Sequence, residues 1–129
     1  MKPGLVALVD LLCVLVFAAI GRASHGEDLG PLGLATTTWP FAAGWLVGEV
    51  LVLAVAAARA RPLGLMAGVL VWLPTVVLGM VLRTVSGAGV QTSFVVVATV
   101  VLGLFLLGWR GVVTLVRRSQ RETRPHVEV

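Results

Sequence analysis

Residues 93–124 read SFVVVATVVLGLFLLGWRGVVTLVRRSQRETR. No charge appears between Phe94 and Trp109, after which Arg110, Arg117, Arg118, Arg121 and Arg124 follow within 15 positions. About 20 apolar residues in a helix cross the ~30 Å hydrocarbon core of a bilayer, and arginines crowded just past such a run mark the cytoplasmic side. The stretch therefore predicts a membrane helix over about 93–112, with a basic segment beyond it.

Three further apolar runs lie upstream, at about 5–20, 41–58 and 63–82, each bounded by Arg, Pro or Gly. None shows the period-two alternation of a barrel strand, and backbone polar groups in lipid must be satisfied internally, so all four are read as helices. The composition agrees. Of 129 residues 58% are apolar and 12% charged, against ~25% charged in soluble domains, and mean hydropathy is +1.02. The predicted fold is all-α, an integral membrane bundle of four transmembrane helices. Residues 1–112 form the transmembrane domain, and 113–129 a basic, disordered cytoplasmic tail.

Residues 1–24 differ from a cleaved signal peptide. Asp10 interrupts the apolar run, Lys2 is the sole basic residue before it, and three more long apolar segments follow. Leu12 before Cys13 excludes a lipoprotein cleavage site, and Cys13, the one cysteine, has no partner for a disulfide or thiolate cluster.

Lys and Arg set the orientation. Lys2, Arg59, Arg61, Arg110, Arg117, Arg118, Arg121 and Arg124 fall on one side, Arg22 and Arg83 on the other. Both termini are thus expected in the cytoplasm, with the protein integral to a bacterial plasma membrane. The net charge of +4 follows from this asymmetry rather than from nucleic-acid binding. Arg117, Arg118, Arg121 and Arg124 are expected to meet anionic headgroups of the inner leaflet.

The expected outer connections are 21–40 and 84–92. Thr38 looks like an N-cap, with Pro40 in the first turn of the second span. Trp39 and Trp45 near one interface and Trp109 near the other fit aromatic anchors, whereas mid-span Trp72 should pack inside the bundle and Pro74 should perturb its helix. Gly44 and Gly48 form one G-x-x-x-G and Gly64 and Gly68 another. The second continues through Trp72, Thr75, Gly79 and Arg83 as a single helical face. Such a face packs either within the chain or as the seam of a homo-oligomer.

Charges within lipid must face the bundle or reach an interface. Helical side chains lean toward their own N-terminus, so Asp10 on an ascending helix and Arg110 on a descending one lean toward each other. They are expected to form an intramembrane ion pair. On the outer side Arg22, His25, Glu49 and Arg83 are expected to form a polar cluster, with Glu27 and Asp28 in water.

Catalytic signatures are missing. His25 and His126 are the only histidines and neither lies in a span, which excludes a transmembrane bis-histidine haem within one chain. No zinc-protease, nucleophile-elbow or phosphate-loop motif occurs. His25, Glu27 and Asp28 in one loop are too few for a metal site. No cofactor and no enzymatic activity are expected.

The order of small and polar residues is distinctive: Asp10 and Phe17; Gly21-Arg22-Ala23-Ser24-His25; Trp39-Pro40-Phe41; Trp72, Thr75, Gly79 and Arg83; Gly108-Trp109-Arg110. Over about residues 8–112 this pattern resembles the small prokaryotic membrane-protein family known as domain of unknown function 3054. The resemblance implies a four-helix membrane protein and singles out Asp10, Arg22, His25, Trp39, Pro40, Phe41, Trp72, Arg83, Trp109 and Arg110 as motif positions. It implies no substrate.

Three roles compete. The first is a structural or accessory subunit of a membrane complex. The second is a small oligomeric transporter or channel for a small solute, an anion among the candidates; four helices can hardly enclose a path alone, so it requires more than one copy. The third is a membrane enzyme built on Arg22, His25 and Arg83.

Overall fold

A computed structural model describes residues 1–123. It consists of helices α1 (Pro3–Ser24), α2 (Pro31–Ala54), α3 (Ala56–Ala60), α4 (Leu65–Val85) and α5 (Thr92–Thr123), with no strand among the described residues. All but the five-residue α3 are long and apolar enough to cross a membrane. At 22 residues, α1 is about 33 Å long, close to the ~30 Å of hydrocarbon.

The helix ends depart from the sequence expectation, each for a local reason. Helix α2 begins at Pro31 rather than near 41, because a proline at the first helical position gives up an N–H that would be unpaired anyway. Thr38 is consequently an interior residue and not an N-cap; its hydroxyl is buried without a partner. Pro40 lies within the helix, as transmembrane helices permit. At the other end Val55 turns extended and separates α2 from α3, dividing the expected 41–58 span. Arg59 Nη1 donates 2.8 Å to the Leu53 carbonyl and satisfies one acceptor that this break leaves free.

Helix α5 runs 32 residues, and 113–123 are helical rather than a disordered tail. No proline occurs between Thr92 and Pro125, so nothing stops the helix where the apolar run ends. Arg124 and the remainder of the expected tail lie outside the described residues.

Helices α2 and α4 make the most extensive contact; α1 packs on α2, and α5 on α4 and α1. Glycine decides how closely α2 and α4 approach. A Cβ on Gly44 would sit 2.7 Å from Thr75 Cα, and one on Gly48 would sit 2.7 Å from Val71 Cα. On the same face of α4, Gly79 receives the Phe41 ring of α2, and on the side toward α5, Gly68 receives Leu107 and Arg110. These small residues are occupied within the chain. Gly64 is the exception: it lies outside α4 at the N-cap, against Arg61, and is no part of the packing face.

Trp72 lies between α4 and α5. Its Nε1 donates 3.0 Å to the Thr99 carbonyl, and its ring sits 3.2 Å from where Gly103 would carry a Cβ. Val14, Phe41, Val71 and Leu102 fill the centre with no exposed surface. Leu5, Leu8, Leu12, Val16 and Ile20 form the outward face of α1. Met1, Pro62 and Arg121 gather at one end of the bundle, called here the termini end. At the opposite end the turns use Gly26, Gly87 and Gly89 at positive φ.

Candidate functional site

Near the termini end, α1 presents Asp10 on the buried face that also carries Val6 and Val14. Helix α5 presents Arg110 on the face of Ala98, Leu102 and Leu106. The two side chains meet as a bidentate pair. Arg110 Nη1 donates 2.6 Å to Asp10 Oδ1 and Nη2 donates 2.8 Å to Oδ2, with side chains 3% and 0% exposed.

Further donors of the guanidinium are also used. Arg110 Nε reaches the Pro62 carbonyl at 3.0 Å, Nη1 also reaches the Leu106 carbonyl at 2.9 Å, and Trp109 Nε1 donates 2.9 Å to Asp10 Oδ1. Asp10 thus accepts three hydrogen bonds, and every guanidinium nitrogen is engaged. A planar fork matched to a carboxylate gives this geometry, which a lysine ammonium cannot reproduce. The clamp ties α1, the α3–α4 connection and α5 together. Trp109, expected as an interface anchor, is one of its donors.

Glu49 lies at this same end. It lies beside Asp10 and Arg110 and, with Arg110, Pro3, Ala7, Val52 and Pro62, lines a cavity of about 160 Å³. The outer placement is therefore corrected: because α2 starts at Pro31, Glu49 is five residues from the helix end and not at its middle. Its Oε1 is buried without a hydrogen-bond partner, so a second carboxyl lies beside the pair and, among the described residues, has no ion pair of its own. Trp45, one turn earlier, donates 3.1 Å to the Ala7 carbonyl. It joins α2 to α1 rather than anchoring the outer interface.

The opposite end does not assemble the expected cluster. Arg22 Nη1 pairs with Glu27 Oε2 at 3.0 Å and donates 2.9 Å to Thr37 Oγ1, while Nε donates to the Asp28 carbonyl. Glu27, expected in water, is the partner of Arg22. Thr37 was reachable only by knowing that α2 extends back past it. His25 is exposed at the end of α1. Arg83 lies 4.6 Å above the Phe94 ring, with Nε buried and unpartnered. Phe94 in turn meets Phe41 at 6.3 Å, and Phe41 meets Phe17 edge-on at 5.2 Å. Among the described residues no hydrogen bond or ion pair joins Arg22, His25 and Arg83 to one another. Trp39 stands on the outside of α2, 45% exposed.

Four membrane-length helices held at one end by a buried bidentate ion pair define an integral membrane protein of the helical-bundle class. The chain belongs to a family of proteins of unknown function, DUF3054, whose family model matches residues 7–113. The match begins just before Asp10 and ends just after Arg110, enclosing both halves of the clamp. No curated protein and no solved structure matches the chain.

Proposed function

We propose that this protein is a non-enzymatic accessory subunit of the bacterial plasma membrane, a multi-pass scaffold with both termini in the cytoplasm. One observation carries this role: every nitrogen of the Arg110 guanidinium, through four of its five N–H donors, bonds inside the chain. A group that binds a passing solute keeps donors in reserve, whereas a group that locks a fold does not. The packing is consistent with this, since the fully buried Val14, Phe41, Val71 and Leu102 lie between the two polar ends and leave one copy no conducting route.

The orientation rests on charge. Lys2, Arg59, Arg61, Arg110, Arg117, Arg118 and Arg121 belong to the termini end, and Arg22 and Arg83 to the other. Native mass spectrometry of the protein, extracted gently at near-native expression, tests the role. A stoichiometric second polypeptide is expected. A homo-oligomer without one would overturn it in favour of oligomeric transport, for which the unpartnered Glu49 Oε1 is the supporting feature.

A further inference from the structure

A second, larger cavity lies at the termini end, a cleft of about 850 Å³ between the α3–α4 connection and the projecting half of α5. Its wall carries Arg61, Arg117 and Arg121, with Arg110 at its base, and among the described residues no carboxylate lines it. Arg110 is committed to Asp10. Among the described residues the other three make no ion pair or side-chain hydrogen bond, so their donors face the cleft without a protein acceptor.

The remaining wall is apolar. Leu65, Leu107 and Leu115 line it, and Leu65 and Leu115 are 73% and 65% exposed, so greasy surface leads from the cleft outward to where lipid would be. From Arg110 to Arg117 and Arg121 the helix rises about 10 and 16 Å. That spacing sets the guanidinium groups at headgroup depth above a membrane-embedded base.

We propose that this cleft is a discrete binding site for one anionic phospholipid, its phosphate held by Arg61, Arg117 and Arg121 and an acyl chain lying along Leu65, Leu107 and Leu115. Arginine forks bind phosphate oxygens bidentately, and the apolar wall selects a phosphate attached to a chain over a free one. Generic attraction of a basic helix to an anionic surface would engage Arg118 as fully as Arg117. The site distinguishes them, because Arg118 does not line the cleft.

The test uses the full chain in nanodiscs of phosphatidylcholine with a minor fraction of phosphatidylglycerol, followed by native mass spectrometry to count retained lipid. Wild-type protein is expected to retain one phosphatidylglycerol. The double variant Arg61→Gln/Arg121→Gln is expected to lose it, with affinity falling roughly fivefold per arginine and about 25-fold for the pair. The charge-matched Lys2→Gln/Arg118→Gln is expected to retain it. Equal losses in the two doubles, or no selective retention by wild type, would overturn the proposal. Displacement of the lipid by inorganic phosphate would reassign the cleft to a soluble anion and also overturn it. If the cleft double fails to fold, Arg121→Gln against Arg118→Gln on the same exposed helix decides, equality counting against the site. The accessory role is untouched by any of these results, since no partner polypeptide is present in the nanodisc.

Discussion

Asp10 and Arg110 show how much a single pair can hold. Removing either partner leaves the other buried and uncompensated, a loss of about 3–5 kcal/mol. Asp10→Ala or Arg110→Ala should therefore unfold at much lower temperature in detergent, whereas Asp10→Leu with Arg110→Met should be less damaging than either alone. If the double were as unstable as the singles added together, the clamp would not be a coupled unit. Glu49→Gln should raise stability by roughly 1 kcal/mol, since it removes one of two adjacent carboxyls and offers Asp10 an N–H donor; a fall in the thermal midpoint would contradict this. The pairing of Asp10 with Arg110 could be read from sequence, because helix direction and side-chain lean do not depend on where a helix starts. The place of Glu49 could not. It hinged on where α2 opens: the expected start at Thr38-Trp39-Pro40 put Glu49 at mid-span, whereas the helix starts at Pro31.

At the scale of the helix, glycine has opposite meanings at different positions. Gly44 and Gly48 touch the α4 backbone, so an added methyl must push two helices apart; Gly48→Ala should cost about 1–3 kcal/mol. Gly108 and Gly111 meet nothing within 4 Å, and alanine there should gain up to about 1 kcal/mol through helix propensity alone. Thermal unfolding of the two sets in one detergent checks the contrast, and similar shifts would mean that α2 and α4 are not in close contact. The small-residue faces were legible as faces from their spacing of three and four. Their partner was not, because a G-x-x-x-G looks the same whether it meets its own chain or another copy. The expected outer cluster failed for a related reason. Glu27 and Thr37 became available to Arg22 only because α1 and α2 extend toward each other and shorten their connection to six residues, 25–30.

For the whole molecule, four spans put both ends of the chain on one side, and the orientation proposed from the arginine asymmetry makes that side the cytoplasmic one. A C-terminal fluorescent protein should therefore fluoresce, and a C-terminal phosphatase that matures only outside the cytoplasm should be inactive; the reverse pattern would invert the topology. The clamp also has a consequence in time. Its two halves are 100 residues apart, and translation at ~5–20 residues per second separates their appearance by about 5–20 s. Through that interval α1 holds a carboxylate for which the nascent chain has not yet made a counter-charge. Completion of the last helix is thus what removes the penalty, and a ribosome that stalls before Arg110 releases a product visibly unfinished to membrane quality control. A chain truncated after Gly108 should therefore have a shorter half-life in the membrane than the full-length protein, and equal half-lives would contradict this.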